Sequence, residues 1–329
     1  MKNHIHALSI AAVMLALIMC LGFAGCSGSS GSSDASGSSD LQQEQDGEQT
    51  DSGTPAAEID YDSATVSYLG PEGTYTEEAC GVFFEHKGRY IPYETVDDAV
   101  QALIDGKSKY AVIPQENTIG GAVIDYVDTL IARTELSVVG EVDLPISQNL
   151  LVLPGTDLKD IRTVYSHKQG IAQGKDWLEE NLPDAEIVEV SSTAEGAKMV
   201  SEGDDKSLAA IASAGSAKVY GLEILAENIQ NNDKNKTRFY VLSTEEPSKA
   251  DSDRLAFIAS GSAEDLPDLM DEIGGDDNSL VMIHDRPLKT ELGEYYYVIE
   301  CSDCSYEEYE EIQKDSGFEF RYLGSFCVK

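Results

Sequence analysis

The sequence predicts an α/β protein built from two folded modules. An alternating strand–helix region runs over about 65–246, and a ferredoxin-like α+β module over about 253–329. Two observations carry this. From about residue 65, runs with strand alternation exchange with runs of helical period, which argues for α/β layers with largely parallel sheets. After the polar stretch Glu245–Ser252 the order becomes strand, helix, strand, strand, helix, strand, the split βαβ arrangement.

Each element has its own warrant. Thr65–Leu69 alternates apolar and polar, and Gly70-Pro71-Glu72-Gly73 breaks it into a strand-to-helix turn. Val96, Ala99, Val100 and Leu103 fall at i, i+3, i+4, i+7, one helix face. Tyr110–Ile113 is a short apolar strand ended by Pro114. Val123, Val127, Leu130 and Ile131 form a second helix face. Leu150–Leu153 and Thr163–Tyr165 read as strands, followed by a helix through Ile171, Gly174, Trp177 and Leu178. Ile187–Val190 is a strand, and Ser192-Thr193-Ala194-Glu195 reads as a capping box opening the next helix. Leu208–Ala212 and Thr237–Leu242 close the first module. In the second, Arg254–Ala259, Ser279–His284, Tyr295–Glu300 and Phe318–Leu323 are strands. Glu264–Ile273 and Tyr306–Lys314 are helices.

The first 64 residues are of another kind. Lys2 precedes an apolar run from about Leu8 to Phe23, which ends in Phe23-Ala24-Gly25-Cys26. A basic start, an apolar middle and small residues before a cleavage point read as an export signal. The ending resembles a bacterial lipobox, with 1–25 as the signal peptide and Cys26 as the lipidated residue. The run is also nearly long enough to span a bilayer, which leaves an uncleaved anchor as the alternative. Residues 26–64 then form an acidic Ser/Gly-rich linker without Lys or Arg, too polar to offset its ordering entropy. An exported chain is expected at the cell membrane, held by its lipid alone. Disulfides are permitted there, so Cys301-x-x-Cys304 is open to a disulfide or to free thiols.

Composition narrows the function. With 23 Lys+Arg against 60 Asp+Glu the formal charge is −37. That excludes nucleic acid, whose binding needs clustered cations, and adhesion to anionic lipid. After the leader only His86, His167 and His284 remain, without zinc-ligand spacing.

Four segments place polar side chains at element ends. Gly70–Thr76 is a turn at a helix start, suited to an anion. Pro114–Gly121 joins a strand to a helix, where α/β proteins put ligands; Asn117 or Thr118 as a simple N-cap is the competing reading. Tyr165-Ser166-His167-Lys168-Gln169 with Gln173 is not a hydrolase dyad, because adjacent Ser and His rarely face each other and no acid orients the His. Asn235–Phe239 offers Thr237 as an O–H donor and Arg238 as a bidentate carboxylate clamp.

Together these segments resemble the prephenate dehydratases. The family patterns G-P-x-G-T-x-[ST], P-x-E-N-[ST]-x-x-G, Y-S-H-x-Q-x-x-x-Q, S-T-A-E and N-x-T-R-F stand here at Gly70–Thr76, Pro114–Gly121, Tyr165–Gln173, Ser192–Glu195 and Asn235–Phe239. Lys168 replaces a usual Pro, and Gly174 a usual Cys. The second module resembles the ACT regulatory domain, with His284-Asp285-Arg286-Pro287 in place of E-S-R-P and Leu292-Gly293-Glu294-Tyr295 following.

The resemblance implies a two-lobed, periplasmic-binding-protein-like catalytic domain. Its lobes would be about 65–145 plus 225–246, and about 146–224, with the site in the cleft. It implies cofactor-free conversion of prephenate to phenylpyruvate, water and carbon dioxide in phenylalanine synthesis. It assigns the catalytic O–H to Thr237 and ties Asn117, Ser166 and Gln173 to binding or activity. Thr74, Thr118 and Phe239 are further substrate-binding positions. Glu116, by our charge argument, would back Thr237 as a protonated donor, and Arg238 would hold a substrate carboxylate. In the ACT-like module Leu266, Arg286 and Pro287 are the regulatory positions. Glu264-Asp265-Leu266 stands where Gly-Ala-Leu is usual, so weak or absent phenylalanine inhibition is expected. ACT modules usually pair, which implies a homodimer or larger. Two alternatives stay open: a lipid-anchored sensor that binds an aromatic acid without turnover, and dehydration of arogenate instead of prephenate.

Overall fold

The computed structural model describes residues 59–274 and 279–329; Cys26, the leader and most of the linker lie outside them. Lobe 1 opens with β1 (Thr65–Leu69), α1 (Tyr75–Phe83), β2 (Arg89–Tyr93), α2 (Val96–Ile104), β3 (Tyr110–Asn117), β4 (Gly121–Ala122), α3 (Ile124–Ala132) and β5 (Ser137–Pro145). Lobe 2 follows with β6 (Asn149–Val152), β7 (Thr163–Ser166), α4 (Lys168–Gln173), α5 (Lys175–Asn181), β8 (Glu186–Glu189), α6 (Thr193–Gly203), β9 (Leu208–Ala212), α7 (Ala214–Tyr220) and β10 (Glu223–Ala226). The chain returns to lobe 1 as β11 (Lys236–Ser243). It then forms β12 (Arg254–Ser262), α8 (Leu266–Gly274), β13 (Ser279–Pro287), β14 (Glu294–Ser302), α9 (Tyr306–Asp315) and β15 (Glu319–Val328).

Two sheets result. Lobe 2 has the order β10-β6-β9-β7-β8, and the larger sheet runs β13-β14-β12-β15-β5-β11-β3-β1-β2 with β4 beside β3. The sheets are mixed rather than largely parallel. β1, β2 and β3 pair in parallel, as do β7, β8 and β9, where helices make the crossovers. β11 pairs antiparallel with both β3 and β5, because it is the strand that brings the chain back from lobe 2. β5 has no counterpart in the apolar pattern, since Gly140, Glu141 and Asp143 interrupt it; all three serve burial or charge pairing described below. β2 and β10 are short edge strands with little apolar signal.

The last six elements have the β-α-β-β-α-β order expected, with strand order β13-β14-β12-β15. Strand alternation gives this sheet two apolar faces. Leu255, Phe257, Tyr297 and Ile299 meet α8 and α9, while Ala256, Ile258, Met282 and Val298 join Tyr126, Val138 and Tyr240 of lobe 1 in one core. The end of β15 also pairs in parallel with β5, Cys327 opposite Gly140 and Val328 opposite Glu141. A Cβ at Gly140 would overlap the Phe83 ring, so this junction requires glycine. The final part of the expected linker belongs to lobe 1: Ala64 is buried and the Tyr61 ring lies 5.9 Å from that of Phe84. Three apolar side chains, Ile59, Tyr61 and Ala64, suffice to join that core. All four described cysteines are free thiols, and burial pushes Cys301 up to about 12 and Cys304 up to about 11, so neither is reactive at neutral pH.

Candidate active site

A cleft of about 1120 Å³ separates the lobes. Its first wall begins at the turn after β1. Thr74 caps α1, its Oγ1 accepting from the Glu77 N–H at 3.4 Å. Gly73, at φ +82°, sits where a Cβ would be 3.0 Å from the Ser216 Cα. Its carbonyl accepts from Ser213 Oγ at 3.0 Å and Ser216 Oγ at 2.7 Å, and the Tyr220 hydroxyl donates to the Glu72 carbonyl at 2.8 Å. Three lobe 2 side chains thus hold the lobe 1 turn at the cleft edge.

The β3–β11 pair forms the floor. Thr237 lies opposite Asn117 and Phe239 opposite Pro114, with Gln115 as the extra residue of a bulge. The bulge lets Pro114 and Asn117, three apart, both line the cleft beside Thr237 and Phe239. Asn117 Nδ2 donates to Thr237 Oγ1 at 2.9 Å and to Asn235 Oδ1 at 2.9 Å. Its Oδ1 accepts from the N–H groups of Ile119 at 3.0 Å and Gly120 at 2.8 Å. Asn117 is therefore fixed through both ends of its amide and caps no helix. Thr118 is tied to the backbone of Lys236, donating to its carbonyl and accepting from its N–H, both at 3.1 Å, and does not line the cleft.

Lobe 2 supplies the facing wall. Gln173 Oε1 accepts from Gln148 Nε2 at 2.9 Å, and both line the cleft with His167, Gln169 and the start of α6. His167 caps α4, Nδ1 accepting from the Gln169 N–H at 3.3 Å. Ser166 is fully buried and donates to the Ile211 carbonyl at 2.7 Å, so it braces the wall from behind. Ser192 caps α6 through the Glu195 N–H at 3.0 Å, while the Glu195 carboxylate lines the cleft.

Of the expected site residues, Thr74, Asn117, Gln173, Thr237 and Phe239 meet in the cleft. Glu116 and Arg238 do not line it. Alternation along β11 turns Arg238 to the opposite face from Thr237, and the bulge turns Glu116 the same way. There Arg238 Nε lies 3.4 Å from Asp143 and 3.8 Å from Glu141, and Nη1 3.9 Å from Glu116. Burial pulls the guanidinium down, but Glu141, Glu300, Asp143 and Glu116 outweigh it and hold Arg238 charged. His284 Nε2 of the second module is 3.7 Å from Glu116. Burial keeps that imidazole below the ordinary histidine range despite Glu116. Glu300, fully buried, accepts from the Tyr240 hydroxyl at 2.6 Å and Gln115 Nε2 at 3.3 Å, and pairs with Arg254 Nε at 3.3 Å. Burial and the neighbouring Glu300 push the Glu141 carboxyl up to about 9, so it is protonated at neutral pH. Arg238, expected to hold a substrate carboxylate, and Glu116, expected to back Thr237 as a proton donor, instead join the second module to the back of β3 and β11.

In that module Leu266 opens α8, partly buried, and Pro287 ends β13, exposed. Arg286 is engaged with lobe 1: Nε donates to Asp128 Oδ1 at 2.6 Å and Nη2 to Oδ2 at 3.0 Å. Sequence reasoning missed Gln148, Glu195 and Lys198 as cleft residues. Gln148 stands in the crossover after β5, and a polar residue at a lobe crossing was the available signal.

The family model for prephenate dehydratase matches residues 66–247. The chain is 38% identical to a bifunctional chorismate mutase/prephenate dehydratase of Neisseria gonorrhoeae, over 72% of this chain, and spans 66% of that relative, just under two thirds of its length. It is 33% identical to the prephenate dehydratase of Lactococcus lactis subsp. lactis, over 71% of this chain and 85% of that one. Among solved structures it is similar to a prephenate dehydratase from Arthrobacter aurescens in complex with L-Phe, with a TM-score of 0.70, 29% identity and coverage of 80% of this chain and 90% of that one. With its motifs gathered around one interlobe cleft, and a family match spanning more than half its length, this chain belongs to the prephenate dehydratase family.

Proposed function

We propose that this protein is a lyase that converts prephenate to phenylpyruvate, carbon dioxide and water. The C–C bond to the ring carboxylate breaks, and its electron pair enters the ring. The C4–O bond breaks at the far side, and the departing hydroxide takes one proton to become water. Aromatisation supplies the driving force, so the protein's task is to assist a poor leaving group. General-acid help of this kind contributes about 10²–10⁴ in rate.

The observation that carries the reading is the Asn117–Thr237 hydrogen bond on the cleft floor. Asn117 can only donate through Nδ2, so Thr237 Oγ1 is the acceptor and its own proton is left to point at the leaving oxygen. A threonine hydroxyl is too weak an acid to give up its proton alone, and it acts by a hydrogen bond that strengthens as C4–O stretches. Gln148, Gln173 and Gln169 add neutral donors, which bind carboxylates without adding charge. Phe239, Pro114 and Ile146 offer the flat apolar surface that suits a ring becoming aromatic. Incubating purified protein with prephenate and following phenylpyruvate absorbance tests the activity. Thr237→Ala should lower kcat at least 100-fold while KM changes little; an active Thr237→Ala would overturn the assignment. Binding without turnover would mark a sensor, and phenylalanine formed from arogenate would mark the amino-acid substrate.

The division proposed is a catalytic domain over 65–246 and an ACT-like domain over 253–329. The ACT-like reading is supported by the β-α-β-β-α-β order and the Arg286-Pro287 motif. Its effector would be L-phenylalanine bound weakly, because Glu264 and Asp265 bring carboxylates to the expected pocket and Arg286 is already paired with Asp128. Pairing of two such modules would give a homodimer. The export signal over 1–25, lipidation at Cys26 and the acidic linker would hang the enzyme from the membrane surface.

A further inference from the structure

A dianionic substrate needs a counter-ion, and this cleft is short of cations. Glu72, Glu94, Asp98 and Glu195 line it, so carboxylates outnumber cations on its walls. The arginine that the sequence offered, Arg238, is held on the other face of the sheet by Glu116, Asp143 and the carboxyl of Glu141. Lys168, exposed at the start of α4, is not among the cleft residues. Among the described residues that line the cleft, Lys198 is the one lysine or arginine. It stands on α6, close to one helical turn beyond Glu195, half-buried, and makes no ion pair with a described residue. Bringing a carboxylate beside four others in a partly desolvated cleft is strongly opposed unless a cation meets it.

Resting on the dehydratase reading, we infer that Lys198 is the substrate's counter-ion and binds the oxo-acid side-chain carboxylate that survives in the product. The chemistry selects between the two carboxylates. The ring carboxylate must release its electron pair to leave as carbon dioxide, and a cation on it would stabilise the ground state more than the transition state. The side-chain carboxylate keeps its charge throughout, so a cation there binds substrate, transition state and product alike. Uniform binding of that kind lowers KM without changing kcat.

The test compares wild type with Lys198→Gln and Lys198→Arg, each checked by thermal melting for an unchanged fold. Lys198→Gln should raise KM for prephenate about 10-fold or more and leave kcat within about 3-fold. Lys198→Arg should keep most of the affinity. Calorimetric titration of phenylpyruvate, which needs no turnover, should show about 10-fold weaker binding to Lys198→Gln. Unchanged KM and unchanged phenylpyruvate affinity in Lys198→Gln would overturn the inference, as would a fall confined to kcat. Failure of wild type to act on prephenate would overturn the dehydratase reading instead, and the phenylpyruvate titration would still decide the role of Lys198.

Discussion

At the residue scale, the protein separates two kinds of polar group by strand alternation. Along β3 and β11 the neutral donors Asn117 and Thr237 face the cleft, and the charged Glu116 and Arg238 are gathered behind it. The cost of the second arrangement falls on Glu141, fully buried and facing Arg238, Asp143 and Glu300. Its carboxyl titrates near 9 in the folded chain but in the ordinary range, about 4.3, when unfolded. Between those limits the folded state binds the extra proton, so its stability falls as pH rises through that window. Thermal melts from pH 5 to pH 9 should therefore show a declining Tm. Glu141→Gln, which keeps the shape and the neutral state, should flatten that decline. Parallel curves for wild type and variant would rule out Glu141 as the group responsible.

At the element scale, β11 does most to create the site. It carries Thr237 and Phe239 on one face and Arg238 on the other, and it lies between β3 and β5 in the centre of the larger sheet. The bulge at Gln115 sets which residues of β3 accompany it. The second module reaches the same strands through Glu300 and His284, and its sheet shares a core with lobe 1. It is thus built into the enzyme rather than hung from it. The effector site proposed for it is a different matter. Glu264 and Asp265, just before α8, would oppose an amino-acid carboxylate there, and Arg286 is bound to Asp128 of α3 by two charged hydrogen bonds. Calorimetric titration with phenylalanine should give no binding at micromolar concentration; a micromolar Kd would refute the charge argument.

At the scale of the whole molecule, the formal charge of −37 governs encounter. Nine of its acids lie in residues 27–64, but the folded modules remain acidic without them. A dianion approaching this surface is repelled over a Debye length of about 30 Å at 0.01 M salt and about 10 Å at 0.1 M. Moderate salt should therefore raise kcat/KM. A decline over that range would mean that local attraction by Lys198 outweighs the field of the chain. In Lys198→Gln the rise with salt should be steeper, because the cleft then holds acids alone.

The sequence by itself determined most elements and their order, the βαββαβ tail and the five motifs that mark the family, because each rests on local periodicity or on residues close in the chain. It also determined that Thr74, Asn117, Gln173, Thr237 and Phe239 are polar or aromatic groups at element ends. Only the tertiary structure decided which of their neighbours joined them. Glu116 adjoins Asn117 and Arg238 adjoins Thr237 in sequence, yet both lie behind the sheet, because a strand reverses its side chains at every step and a bulge shifts the count. Gln148 and Lys198 carry no motif, and they line the cleft because a lobe crossing and a helix face bring them there. β5 was hidden by charges that an α/β core normally excludes, and it became a central strand because Arg238 and a second carboxyl stand opposite them. Local pattern fixes what each segment is; the pairing of distant strands fixes which way its side chains face.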